Sequence, residues 1–199
     1  MSLVIAHKTK QGVFVSSDKA LSNDVHTLNA KHGKIVQYGP YTVGLVGCPR
    51  FLSRLVGHPS ILDPLDKVSA ESPFVKAQDI PRASDWAEIG KEHEHIAGAF
   101  LRNLRSNLKD TMEDGDTQQV IVVFRDKIFL IEDFEWAIEV EGGFYAVGTG
   151  APYAVGAYEA LRHKHHAMND VDAVHRLFYG VATKHCPSVS YEHVVVRAK

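Results

Sequence analysis

Three polar residues near the start of the chain, Ser2, Asp18 and Lys34, stand at intervals of 16 residues. Once Met1 is removed, Ser2 carries a hydroxyl and a free α-amine on one residue, and methionine is usually removed before so small a side chain. An α-amine has a pKa of about 7.7–8.0, so it can take a proton at neutral pH without help from a histidine. A serine at position 2 is common, and only its neighbours can give it a role. Residues 3–8 and 13–17 are short apolar runs separated by Thr9-Lys10-Gln11-Gly12, a hairpin pattern. With 9–12 as the loop, residue 8 pairs with 13 and residue 3 with 18, which brings Asp18 beside Ser2. A second hairpin, Lys34 to Tyr38 and Tyr41 to Gly47 about Gly39-Pro40, sets Lys34 opposite Leu45 and next to Gly44. Register alone therefore supplies two local pairs and does not join them.

The remaining elements must do the joining. After Cys48-Pro49 a short helical pattern runs from Phe51 to Val56, and residues 58–82, with four prolines, read as an irregular excursion. Ser84 is a plausible N-cap for a long helix whose stripe is Trp86, Ile89, Ile96, Phe100, Leu104 and Leu108. Two strands, Gln119 to Arg125 and Ile128 to Glu132, meet at Asp126-Lys127. A strand from Trp136 is expected to continue, after a break at Gly142-Gly143, through Phe144 to Val147. Gly148-Thr149-Gly150 leads into a helix with Pro152 in its first turn, where a missing N–H does no harm. A further helix over about Val171 to Lys184 and a strand from Glu192 to Arg197 complete the chain. The order is strands, helices, strands, helices, strand. It predicts an α+β, four-layer αββα sandwich over residues 1–199, two antiparallel sheets between helix pairs in a single domain.

Ser2, Asp18 and Lys34, with the glycine-spaced strand Val43-Gly44-Leu45-Val46-Gly47, resemble the front end of proteasome β-type subunits and HslV-type bacterial peptidases, the N-terminal nucleophile hydrolases. A second resemblance lies in Ala146-Val147-Gly148-Thr149-Gly150-Ala151-Pro152, similar to that family's Gly, hydroxyl residue, Gly run opening a helix after a strand. The likeness in element order covers nearly the whole chain, and residue matching is confined to about 1–55 and 140–165. It implies a peptidase whose nucleophile is Ser2, with Lys34 lowering the proton affinity of its hydroxyl and amine and Asp18 holding the lysine. It also implies a Gly44 N–H as oxyanion donor, Thr149 near the N-terminal amine, and Leu21, Thr42 and Val46 lining the first substrate pocket. The family's usual threonine is replaced by serine, which lacks the methyl group that restricts its rotamer. The family's second acidic residue has no carboxylate counterpart in Ala182 to Ser188; either Lys184 or His185 stands there, and Ser188 matches the accompanying serine. The resemblance further implies a ring-like homo-oligomer of identical subunits, a peptide or unfolded-protein substrate, a separate ATPase for delivery, and no cofactor. The missing carboxylate favours an alternative of the same fold, a catalytically silent ring subunit or scaffold; a third is a small-molecule amidase.

Other constellations carry less. Glu92-His93-Glu94-His95 and His163-Lys164-His165-His166 read as solvated helix surface, because i, i+2 neighbours on a helix point to different sides and cannot converge on a metal. Gly148-Thr149-Gly150 is no dinucleotide fingerprint, since Tyr153 stands where the third glycine would be. Two cysteines, Cys48 and Cys186, cannot build a disulfide framework. The net charge of −2 gives no basic footprint for nucleic acid, and no apolar run approaches the length of a membrane span. With 45% apolar and 23% charged residues and no signal pattern at its N-terminus, the chain reads as cytoplasmic.

Overall fold

The computed structural model describes residues 2–22, 27–29, 33–38, 41–47, 53, 75–76, 119–124, 126–132, 136–163 and 170–198. The first hairpin forms in the expected register: β1 (Val4–Thr9) and β2 (Gly12–Asp18) pair Lys8 with Val13 and Val4 with Ser17. Short strands β3 (Ala20–Ser22) and β4 (Thr27–Asn29) pair with each other. The second hairpin, β5 (Ile35–Tyr38) and β6 (Tyr41–Val46), pairs Tyr38 with Tyr41, and the Leu45 N–H donates to the Lys34 carbonyl. Beyond it lie β7 (Val75–Lys76), β8 (Gln119–Phe124), β9 (Lys127–Glu132), β10 (Trp136–Glu139) and β11 (Phe144–Val147). Helices α1 (Ala151–Leu161) and α2 (Val171–His185) and strand β12 (His193–Arg197) follow.

A four-stranded antiparallel sheet has the order β11-β1-β2-β12, and a six-stranded sheet the order β5-β6-β8-β9-β10-β7, antiparallel but for its β7–β10 edge. Strand alternation in β1 sorts its side chains between two cores. Leu3 and Ile5 join Phe144, Ala154, Val174, Phe178 and Tyr179 beneath the helices. Val4 and Ala6 join Val13, Val15, Ile121, Val123 and Leu130 between the sheets. The helix pair α1–α2 thus covers the four-stranded sheet, whose other face meets the second sheet. The expected helices at 51–56 and 84–108 fall outside the described residues, apart from Ser53, which is helical.

Two expectations are corrected. Residues 136–147 are not one interrupted strand: β10 belongs to the six-stranded sheet and β11 to the four-stranded one, so the chain changes sheets at Gly142-Gly143. The proline-rich excursion also contributes a strand, β7, which runs parallel to β10. Both helices start as their sequences suggest, with proline in the first turn of α1 and the Asp170 carboxylate accepting the Ala173 N–H at 3.0 Å before α2.

Candidate active site

The two pairs supplied by hairpin register are joined by an ion pair. Lys34 Nζ lies 2.7 Å from Asp18 Oδ1, and the two side chains are 5% and 0% exposed. The same carboxylate oxygen accepts the Leu3 N–H at 2.9 Å, and the Asp18 N–H donates back to the Leu3 carbonyl at 3.1 Å. Lys34 is placed from its backbone as well, its N–H donating to Ser17 Oγ at 2.8 Å. Ser17 is a positioning residue that no sequence signal distinguished from its neighbours. Burial holds the Lys34 amine below the ordinary lysine range, and Asp18 opposes that shift through its charge and hydrogen bond. The outcome is a buried cation anchored one residue from Ser2, which is itself 4% exposed.

A second segment closes on residue 2 from β11. Gly150 N–H donates to the Ser2 carbonyl at 3.3 Å, and Thr149 Oγ1 lies 3.5 Å from the same oxygen. Gly148 has φ 95°, and a Cβ built there would collide with the Ser2 carbonyl, so only glycine permits this approach. The Gly148 N–H is tied to the other sheet through Gln119 Oε1 at 3.1 Å, and Gln119 Nε2 in turn bonds Glu132 at 2.8 Å. Gln119 is the first residue of β8, whose apolar pattern hid it.

Among the described contacts Thr149 meets neither Lys184 nor His185. Lys184 is exposed, and the exposed His185 ring stacks on Tyr153 at 5.1 Å. Instead, Cys186 Sγ lies 3.5 Å from Thr149 Oγ1 and 3.2 Å from Ser188 Oγ, and Thr149 Oγ1 lies 3.5 Å from Ser188 Oγ. Burial alone would raise the Cys186 thiol, but its hydrogen bonds with Ser188 and Thr149 outweigh that and draw it below the ordinary value. The serine match thus meets Thr149, with a thiol beside it.

Gly44 takes a different task from the one expected. Strand β6 is paired on both edges at this residue, with Ile35 on one side and Ile121 on the other. In an antiparallel ladder a residue's N–H points toward one neighbouring strand, so the Gly44 amide faces a partner whichever way it turns. A Cβ at Gly44 would lie 2.5 Å from Val4 Cγ1 and 3.2 Å from Val15 Cγ1; the glycine lets the sheets approach. Thr42 is 0% exposed and its hydroxyl accepts Gln37 Nε2 at 3.3 Å, and Val46 packs against the inter-sheet core. Leu21 lies in β3 opposite Leu28. Among the described residues no group of three or more His, Cys, Asp or Glu could hold a metal ion, and no helix is long and apolar enough to cross a membrane. His163 is exposed; the other histidines of the two clusters fall outside the described residues.

No family model matches the sequence, and no curated protein does. Solved structures do. A bacterial proteasome-like peptidase, BPH from Thiobacillus denitrificans in complex with epoxomicin, superposes with a TM-score of 0.65 at 20% identity, covering 99% of each chain. Eukaryotic HslV from Trypanosoma brucei gives a TM-score of 0.62 at 14% identity over 98% of this chain and 97% of its own. The Gly-1 mutant of Anbu from Hyphomicrobium sp. strain MC1 gives 0.63 at 12% identity over 99% and 81%. All three are proteasome-type N-terminal nucleophile hydrolases, and the fold of this chain is theirs.

Proposed function

We propose that the chain is a proteasome-like peptidase that hydrolyses peptide bonds with Ser2 as nucleophile after Met1 is removed. The observation that carries this reading is the buried Asp18–Lys34 pair bonded to the Leu3 N–H, beside the residue that would attack. In the proposed reaction the freed α-amine takes the Ser2 hydroxyl proton as Oγ attacks the substrate carbonyl. Lys34, held charged by Asp18, favours the developing alkoxide, and the leaving amine takes the proton from the α-ammonium. The resulting acyl-Ser2 ester is hydrolysed by water, with the α-amine again acting as base. Thr149 lies beside the Ser2 carbonyl and Ser188 beside Thr149, and in this reading the two hydroxyls support the amine's position. Gly47, exposed and just past the paired part of β6, replaces Gly44 as the oxyanion donor, because its amide is not committed to the β6–β8 register. In this reading Leu21, Thr42 and Val46 line the first substrate pocket.

The same reading includes a second helix pair over the six-stranded sheet, a ring-like assembly of identical subunits in the cytoplasm, unfolded protein or peptide as substrate and delivery by a separate ATPase. Intact mass of the purified protein combined with peptide hydrolysis tests it. Loss of one methionine, with turnover abolished in Ser2→Ala, is the expected result; full turnover in Ser2→Ala overturns it. One observation favours the silent-scaffold reading: a thiol, Cys186, occupies the region where the resemblance calls for a carboxylate. That reading predicts retained Met1 and no hydrolysis by the wild-type chain.

A further inference from the structure

The core beneath the helices contains a line of buried polar groups. Ser16 on β2 and His175 and Tyr179, one turn apart on α2, are all 0% exposed. Polar groups placed there cost stability unless each finds a partner. These do: His175 Nδ1 lies 2.6 Å from Ser16 Oγ, Ser16 Oγ lies 3.2 Å from Tyr179 Oη, and Tyr179 Oη lies 3.3 Å from the Leu3 carbonyl. The line ends on the residue whose N–H is held by Asp18.

The protons can be ordered along it. His175 Nε2 is buried with no hydrogen-bond partner among the described residues. A proton on that nitrogen would be an orphaned buried N–H, which is rarer than an unpaired acceptor, so the proton is placed on Nδ1 and donated to Ser16 Oγ. The Tyr179 hydroxyl is the donor both to Ser16 Oγ and to the Leu3 carbonyl, and its one proton is divided between them. Burial keeps the ring neutral, with its pKa lowered to about 3 by desolvation first and by His7 and His193 next, so a single tautomer persists at neutral pH. Burial likewise holds the Tyr179 phenol well above its ordinary value, so it stays a donor.

We propose that Tyr179, whose hydroxyl donates to the Leu3 carbonyl, is a positioning residue for the N-terminal nucleophile. The peptide following Ser2 is then gripped from both layers, its N–H by Asp18 and the next carbonyl by Tyr179. The effect on turnover rests on the proposed peptidase reading; the grip itself does not, and the experiment separates them. Amide exchange is measured residue by residue in the wild type, Tyr179→Phe and Ser16→Ala, together with kcat and KM on a peptide substrate. Tyr179→Phe removes one oxygen and keeps the ring, and it is expected to speed exchange at Leu3 and Asp18 about fivefold, the weight of one hydrogen bond, with α2 amides unchanged. Ser16→Ala removes the competing acceptor and is expected to slow exchange at the same two amides, because the Tyr179 proton is then given to Leu3 alone. In turning-over enzyme kcat falls about fivefold in Tyr179→Phe at constant KM, which general loosening of the helix would not produce. Unchanged exchange at Leu3 and Asp18 in Tyr179→Phe, acceleration spread evenly over α2, or faster exchange in Ser16→Ala each overturn the proposal. A wild type without peptidase activity would sink the peptidase reading, and the exchange data would still decide this one.

Discussion

At the scale of single residues, the account turns on a charge pair that the protein cannot easily lose half of. Lys34 and Asp18 are both out of water, and Asp18 spends one carboxylate oxygen on Lys34 and on the Leu3 N–H together. Replacing Lys34 by methionine leaves a buried carboxylate without its cation. Breaking a buried pair this way costs about 3–5 kcal/mol, far more than an exposed pair such as Lys8–Asp126 would. Urea unfolding of Lys34→Met is therefore expected to show a loss of that size along with loss of turnover, and an unchanged midpoint would contradict it. Lys8→Met is expected to lower the unfolding free energy by less than about 1 kcal/mol.

At the scale of elements, two glycines of the expected site separate by task. Gly148→Ala forces a side chain into a residue at φ 95° and against the Ser2 carbonyl, so it is expected to cost about 1–3 kcal/mol and to lower kcat at least about tenfold. Gly44→Ala meets Val4 and Val15 instead, and is expected to cost a similar stability while leaving the oxyanion donor in place. Thermal melts and single-turnover rates distinguish the two; Gly44→Ala with normal stability and no turnover would restore its oxyanion role. Both hairpins and their register were legible from the sequence because loop length fixes pairing locally, and Asp18 beside residue 2 followed directly. The sheet change at Gly142-Gly143 was not legible, since strand pattern does not say which sheet a strand joins. The contact of Thr149 with Ser2 spans 147 residues, and only resemblance to a family pointed to it. Gly44 was misread because a glycine for close sheet packing and a glycine for an exposed amide look alike in one dimension. Ser16, Ser17, Gln119 and Tyr179 sit in ordinary strand and helix patterns, and their partners lie on other elements.

At the scale of the molecule, the helix layer is fastened to the four-stranded sheet through a core that contains two histidines. His7 and His175 face each other with ring centroids 5.6 Å apart, and burial lowers their pKa values to about 4 and about 3. In the unfolded chain both titrate near the ordinary value of about 6.5. As pH falls below that value the unfolded state binds protons that the folded state refuses, so stability is complete above pH 6.5 and is lost as pH approaches 4. For His7 alone the loss is on the order of 3 kcal/mol. Urea midpoints measured at pH 7 and pH 4.5 are expected to differ accordingly, and a His7→Phe variant should show a smaller difference; equal slopes would remove the histidine from the explanation. The fold that these layers build is shared end to end with BPH and HslV, while identity stays at 20% and 14%. The likeness is one of fold, and the chemistry at the leading end of the chain must be read directly. The most direct measurement is the mass of the N-terminal peptide after incubation with a covalent inhibitor that reacts with an amine and a hydroxyl together. The account predicts a peptide that begins at Ser2 and carries the inhibitor on that residue. An unmodified peptide still beginning with Met1, from a preparation that hydrolyses peptides at full rate, would contradict it.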